Sequence, residues 1–199
     1  IHTNETFNLE NDDDFEKIKV KAKDTETNAE KEATFVITIG KKQTDEVTNV
    51  SVSPTGAVTF TNSSNSDGYL ISVDGVNYTP VIAGDTTTTY NYLTEITSAK
   101  GTRKVYIKST NSDSGNYKES DPVTVDVTVY SLSVNVNNDD YGTVSPSSIN
   151  VISGATYSAS DNVITLSDGR QITTTKKNEA EYTTTFTGWS SESETISQD

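Results

Sequence analysis

The sequence offers few side chains with which to carry out catalysis. Its 199 residues include one His, no Cys and no Met, beside 29 Asp and Glu. A Ser-His-acid arrangement would depend on His2, which lies far in sequence from any Ser in a predicted strand. Glycoside hydrolysis needs two carboxyl groups in one cleft, and no acidic residue falls in a recognisable motif of that kind. We therefore predict that the chain is not an enzyme, and we assign no catalytic residue.

Two clusters of Asn and Asp are the candidate metal ligands. Residues 11–14 (Asn-Asp-Asp-Asp) and 137–140 (Asn-Asn-Asp-Asp) each place several hard oxygen atoms in one loop, which suits calcium. Neither has the spacing of an EF-hand, and Asn and Asp also favour solvated turns. The single His and the absence of Cys argue against zinc, haem and iron–sulfur sites. We expect no cofactor, with calcium in these loops as the alternative, and assign no metal-binding residue.

The charge and the hydropathy of the chain argue against two large classes of partner. A formal net charge of −14 and a pI near 4.4 leave no cationic surface for nucleic-acid phosphates, so we expect no nucleic-acid binding. No apolar run approaches the roughly 18–20 residues that span a bilayer, so we expect no membrane insertion.

Position 1 is not Met, and we expect the chain to be an internal or processed part of a longer protein.

The apolar residues are few but regularly placed. Only 31% of the residues are hydrophobic, while Thr, Ser and Asn number 33, 24 and 17. Such a composition can indicate disorder. Here the apolar residues alternate with polar ones and many are β-branched, which favours thin, half-buried sheets. We therefore predict an all-β fold made of tandem small modules, with no long helix.

Alternation first appears near the N-terminus, where Ile18, Val20 and Ala22 alternate with Lys residues. A second alternating run covers residues 33–39, and the polar stretch between the two runs predicts a hairpin. After a charged linker at residues 41–46, turn signals recur at the spacing of about 8–12 residues that is typical of a β-sandwich. The strands predicted for this sandwich are residues 47–53, 57–62, 69–73, 87–93, 103–110 and 123–130.

Four Tyr residues of the central segment raise the question of sugar binding. They lie close together in sequence at Tyr69, Tyr78, Tyr90 and Tyr92. Exposed, coplanar rings would stack on carbohydrate, whereas alternating rings in a thin sandwich would fill its core. We favour the core interpretation, and we expect Trp189 to be a core anchor as well.

The N-terminal hairpin carries the first of three family resemblances. An alternating strand, a turn of the Ala-x-Asp…Asn kind and a second alternating strand make up its sequence. This order resembles the last two strands of bacterial Ig-like or cadherin-like repeats. The resemblance implies that residues 1–43 are the C-terminal hairpin of a truncated Ig-like domain.

The central segment shows a sandwich-family pattern in its second half. The residues that carry it are Tyr92, Leu93, 105–111, Gly115, Ser120 and 123–127. They resemble a fibronectin type III domain, with a Leu before the sixth strand, an aromatic residue alternating with apolar ones in it, and an alternating last strand. The family's usual Trp in the second strand is missing, and we expect Phe60 to fill its place. The resemblance implies an antiparallel sandwich over residues 44–130.

The last segment contains three short motifs that carry a third family resemblance. They are Gly142-x-Val-x-Pro146, Gly154-x-x-Tyr157 and Phe186-x-Gly-Trp189. Their order and spacing resemble the divergent internalin-B-type repeats of bacterial surface proteins. The resemblance implies that residues 131–199 form a small β-rich module, which we expect to be truncated.

Together these features predict a non-catalytic extracellular stalk or adhesin segment that spaces or presents a binding domain at the cell surface. Its expected partners are neighbouring domains of the same chain and an unidentified host protein or glycan. An Ig-like accessory region of a phage virion protein, in a head or a tail fibre, is the first alternative. A carbohydrate-binding or linker module of a secreted glycoside hydrolase is the second.

Overall fold

A computed structural model describes residues 16–23, 26–37, 40–177, 185–189 and 193–198. These residues form four antiparallel sheets, one two-stranded parallel sheet and one four-residue helix, which confirms the predicted all-β class. Within the described ranges, no helix has the length and apolarity needed to cross a lipid bilayer.

The N-terminal strands form the predicted hairpin. Strand β1 (Glu16–Lys23) pairs antiparallel with β2 (Glu30–Ile37), in a continuous register from Glu16 opposite Ile37 to Lys23 opposite Glu30. Asn28, in the connection, has a φ of 56°, a left-handed conformation that Asn tolerates better than most residues. The connection therefore has an Asn at a position with a left-handed backbone, a residue type that the sequence alone marks as favouring a turn.

The central segment contains all six predicted strands, with ends that shift by up to three residues. The helix and three strands were not predicted: β3, β7 and β10. The elements are β3 (Lys42–Gln43), β4 (Thr48–Val52), β5 (Ala57–Thr61), β6 (Gly68–Ser72), β7 (Thr79–Ile82), β8 (Thr87–Asn91), α1 (Leu93–Ile96), β9 (Gly101–Thr110), β10 (Tyr117–Lys118) and β11 (Val123–Ser133).

Two sheets enclose the central core. One has the order β4-β5-β8, and the other contains β7, β6, β9 and β11 in that order. Alternate residues point inward, so Val58 and Phe60 on β5 are fully buried, as are Val105 and Ile107 on β9. The Phe60 ring meets Tyr69 edge-on, with ring centroids 4.8 Å apart. Phe60 thus lies in the core as expected, and the sandwich is of a kind compatible with Ig-like modules.

A close approach between Gly56 and α1 fixes one end of the sandwich. Gly56 has a φ of 81°, and a Cβ built there would lie 2.5 Å from the Leu93 Cβ. The Tyr92 amide donates to the Gly56 carbonyl at 2.9 Å. Glycine is required at this turn both for its backbone angle and for the space.

The predicted charged linker is attached to the sandwich rather than separate from it. Strand β3 pairs in parallel with β10, and the Thr44 amide donates to the Lys118 carbonyl at 3.0 Å. The Thr44 hydroxyl is buried and donates to the Ser109 carbonyl at 2.9 Å and to that of Lys118 at 3.2 Å. Residues 41–46 (KKQTDE) are predicted as a linker from sequence because they are polar and their strand, β3, has only two residues, too few to show alternation.

We expect Thr44→Val to weaken this attachment. Valine keeps the shape but removes the hydroxyl donor, and both carbonyls retain a backbone donor, so the loss should be about 1 kcal/mol. Hydrogen exchange of the Lys42 and Thr44 amides should accelerate, since both bond to the loop around β10. Thr87→Val, at an exposed position on β8, is the control. Unchanged exchange in Thr44→Val would show that the hydroxyl does not hold the segment.

The C-terminal segment forms its own five-stranded sheet. That sheet has the order β12-β16-β15-β14-β17, while β13 lies outside it. Two small apolar clusters support it: one contains Val151 and Leu166, and the other contains Ile164 and Ile172. The strands are β12 (Gly142–Ser145), β13 (Ser148–Ile152), β14 (Thr156–Ser160), β15 (Val163–Leu166), β16 (Gln171–Lys176) and β17 (Ser193–Thr195).

Candidate functional site

Strand β11 passes through the predicted module boundary between residues 130 and 131. Its first part pairs with β9, from Val123 to Val129. Its last part pairs on the opposite edge with β13, from Val129 opposite Ile152 to Ser133 opposite Ser148. We call this second ladder and its surrounding contacts the joint. The central sheet therefore continues into the C-terminal segment without an intervening loop.

Apolar side chains cross the joint. Ile152 belongs to the C-terminal segment in sequence, yet it is 3% exposed and packs in the large central core. Val129, 2% exposed, lies opposite it in the ladder and packs in the same core. The next residue along β13, Val151, faces the other way and packs in a C-terminal cluster. Because side chains alternate along β13, Ile152 packs in the central core and Val151 packs in a C-terminal cluster.

Polar contacts reinforce the joint at its edge. The Asn150 side-chain amide donates to the Thr97 carbonyl, just after α1, at 3.0 Å. The Arg170 guanidinium donates to the Asn150 carbonyl at 2.8 Å and to the Asp168 carboxylate at 2.6 Å. The Asp168 side chain has no exposed surface. A hydrogen-bonded chain therefore runs from the β15–β16 turn through β13 to the central module.

A close contact of Gly154 with Pro54 completes the joint. Gly154 has a φ of 85°, and a Cβ built there would lie 3.2 Å from the Pro54 Cγ. The Ser153 amide donates to the Thr128 carbonyl at 2.9 Å, which extends the ladder by one bond. The turn after β13 therefore packs against the first turn of the sandwich, which contains Pro54.

We expect the Asp168 carboxyl to make the joint sensitive to acid. Burial raises the pKa of Asp168, but hydrogen bonds and charge attraction from Arg170 outweigh burial, so the pKa falls below its usual value of 3.8. A carboxyl with a lowered folded-state pKa stabilises the fold above its unfolded-state pKa. That contribution is lost as the pH falls from about 4 through the folded-state value.

We expect Asp168→Asn to cost about 1.5–3 kcal/mol at neutral pH, because a charged hydrogen-bond acceptor is removed. The difference in unfolding free energy from the unchanged protein should shrink below pH 4, where the carboxyl of the unchanged protein takes up a proton. Urea unfolding at pH 7 and pH 2.5 measures both values. Asp85→Asn, at an exposed position, controls for the loss of one negative charge. A difference that is the same at both pH values would contradict this assignment.

The second feature of interest is an open cleft beside the C-terminal sheet, with a volume of about 1030 Å³. Its floor includes the buried Val134 and Ile164. The segment 185–189 lines the cleft, as do Asn137, Asn138 and Tyr141 from the turn at residues 137–141. The Trp189 indole donates to the Asp161 carbonyl at 3.0 Å, which holds the 185–189 segment against the β14–β15 turn.

Aromatic rings are exposed along this cleft. Tyr141 is 50% exposed and Phe186 is 38% exposed. Phe186 meets Trp189 edge-on, with ring centroids 5.2 Å apart. Trp189 is half-buried against the Ile164 and Ile172 cluster, in line with the packing role expected for it, but it also lines the cleft.

The candidate calcium loop at residues 137–140 is arranged as a turn. The Asp140 amide donates to the Asn138 side chain at 2.8 Å, and the Tyr141 amide donates to the Asn138 carbonyl at 3.1 Å. Lys177 donates to the Asp139 carbonyl at 2.8 Å. No group of three or more His, Cys, Asp or Glu in the described residues is placed to hold a metal ion. Residues 11–14 and His2 lie outside the described residues.

The four central Tyr residues do not form one exposed platform. Tyr69 and Tyr92 are 1% and 3% exposed and belong to the core. Tyr90 packs at the edge of that core, and Tyr78 lies under the Lys108 ammonium at 4.8 Å. A coplanar sugar-binding face of these four rings is therefore absent.

Sequence reasoning missed the joint and the cleft. The signal for the joint lies around β11: Val127 and Val129 alternate on one face of the strand, and from Tyr130 through Leu132 to Val134 the apolar positions move to the other face with no turn residues in between. The signal for the cleft was Tyr141, an aromatic residue directly after a polar Asn-Asp turn. Comparison of the chain with protein-family models, curated proteins and solved structures finds no match.

Proposed function

We propose that the chain is a non-catalytic, extracellular stalk or adhesin segment that spaces or presents a binding domain. The observation that carries this proposal is the shared strand β11, because it joins two β modules without a flexible linker. A spacer transmits position only if its modules keep a fixed relation. The acidic net charge of −14 favours solubility and opposes self-association of such a segment.

The finer family assignments belong to this proposal. The central sheet order, with three strands facing four, supports a fibronectin type III-like module. The order of the C-terminal motifs supports an internalin-B-type repeat at residues 131–199. The bounds 1–43, 44–130 and 131–199 remain predictions, and we propose that the joint holds the last two modules in a fixed relation.

Rigidity of the joint is tested by distances between spin labels. The chain has no Cys, so labels attach only at introduced sites. Asp85→Cys with Gln171→Cys spans the joint, while Asp85→Cys with Lys118→Cys stays within the central module. All three positions are exposed. We expect distance distributions of similar width for the two pairs, and a much broader distribution across the joint would contradict a rigid spacer.

Placement at the cell surface is tested with an antibody against this chain. On intact cells of the source organism we expect labelling without permeabilisation. Labelling of phage particles instead would favour the virion alternative. Labelling only after lysis would contradict both.

A further inference from the structure

We infer that the cleft of the C-terminal module binds a neutral oligosaccharide. This inference goes beyond the stalk function, since it gives the segment an adhesive activity of its own. It rests on three observations at one place: exposed aromatic rings, exposed side-chain amides and an almost uncharged lining.

The aromatic rings supply the stacking surface. A pyranose ring has an apolar face of C–H groups, and it packs against the face of an aromatic ring. Tyr141 and Phe186 line the cleft and are 50% and 38% exposed. When a ligand covers aromatic side chains that line an open cleft, their apolar surface is removed from water, and this favours binding.

Amide groups supply the complementary polar contacts. Asn135 and Asn137 lie on the cleft and are exposed. A side-chain amide offers both donors and an acceptor, which matches the paired hydroxyl groups at the edge of a sugar. A mixture of aromatic faces with a few amides is therefore suited to an amphipathic ring rather than to a purely apolar ligand.

The charges at the cleft select against anionic ligands. Among the described residues of the lining, Asp161 and Lys176 are the only charged side chains, one of each sign. The chain as a whole carries −14. Sialylated or sulfated glycans would meet long-range repulsion without a cationic cluster to offset it.

The volume of the cleft leaves room for more than one sugar. At about 1030 Å³ it is just above the roughly 300–1,000 Å³ of small-molecule sites. The cleft is open to solvent, so an oligosaccharide end or a stretch of polysaccharide has room to enter.

The single Trp provides the assay. Trp189 lines the cleft and is the only Trp of the chain, so its fluorescence reports this site alone. The full chain is titrated with cellohexaose, chitohexaose, xylohexaose and mannohexaose, up to about 10 mM, which reaches dissociation constants in the millimolar range. At least one should change the emission and protect Trp189 from acrylamide quenching. Sialyllactose and a heparin hexasaccharide are the anionic probes.

Variants place the binding in the cleft. Tyr141→Ala and Phe186→Ala should each weaken binding roughly tenfold, equal to about 1.4 kcal/mol. Tyr141→Phe keeps the ring and should stay within about threefold. Tyr78→Ala, in the central module, should leave binding unchanged. Urea midpoints check that each variant is folded, and the quenching protection of the unchanged protein stands independently of them.

Four results would overturn the inference. The first is no response to any neutral probe in either fluorescence or calorimetry. The second is tighter binding of the anionic probes. The third is binding that survives both alanine substitutions in folded protein. The fourth is emission that depends on protein concentration, which would indicate a second copy in the cleft. None of these bears on the spin-label distances that test the stalk.

Discussion

Replacing Ile152 by Ala should destabilise both the central and the C-terminal modules. The side chain lies in the C-terminal segment but packs, 3% exposed, in the central core. Truncation removes buried methyl groups and leaves a cavity, which costs about 2–5 kcal/mol for Ile→Ala in protein cores. Because total stabilities are typically about 5–15 kcal/mol, the loss should be large in urea unfolding.

Two spectroscopic probes separate the modules in this experiment. Trp189 fluorescence follows the C-terminal module, and the NMR ring resonances of the buried Tyr69 and Tyr92 follow the central one. In Ile152→Ala both midpoints should fall. Ile172→Ala is the matched control, because Ile172 is fully buried in a C-terminal cluster that is separate from the central core. It should lower the Trp189 midpoint and leave the Tyr signal largely in place.

The opposite pattern would contradict the joint as we describe it. If Ile152→Ala moved only the Trp189 midpoint, the β13 contact with the central core would contribute little to that core. The stalk proposal would then lose its main support, since the shared strand would not couple the two modules.

Replacing Phe60 by Ala should cost about 3–5 kcal/mol, the usual range for removing a buried aromatic ring. Phe60 is fully buried on β5 and meets Tyr69 edge-on at 4.8 Å, a contact worth about 0.5–1.5 kcal/mol beyond its buried area. Loss of the ring also removes support for the Tyr69 hydroxyl, which accepts hydrogen bonds from the Ser63 amide and the Ser66 hydroxyl.

Urea unfolding measured by circular dichroism determines this loss. Phe60→Leu is the control, since it retains most of the apolar volume and should cost clearly less than Phe60→Ala. Thr59→Ala, at the neighbouring position that faces outward, should stay within about 0.5 kcal/mol of the unchanged protein. A loss below about 1.5 kcal/mol for Phe60→Ala would show that the core closes around the missing ring.

Much of the fold follows from local sequence. Strands β5 and β9 were predicted because their apolar residues recur at every second position, which a strand places on one face. The N-terminal hairpin was predicted for the same reason, with a polar turn between two alternating runs. Phe60 was expected to fill the place of the Trp that is missing from the fibronectin type III resemblance, and it is buried in the core.

The missed elements are those whose formation depends on distant residues. Strand β7 contains Pro80, which lowers its apparent strand propensity, but β7 is the edge of its sheet, where Pro is tolerated. Strand β3 has two residues and forms because β10, more than 70 residues away, offers a parallel partner. The strands that pair with β7 and β3, which are β6 and β10, cannot be identified from the local sequence pattern.

The sequence alone determined the all-β class, the hairpin, the six main strands of the sandwich and the poverty of catalytic side chains, because alternation, turn residues and composition are local properties. Only the tertiary structure decided that β13 joins β11, that Ile152 enters the central core, and that Tyr141, Phe186 and Trp189 meet at one cleft. Contacts between segments far apart in the chain decide which strand pairs with an edge strand and which side chains surround an exposed ring. Those contacts are set by packing of the whole molecule rather than by the pattern within any one strand.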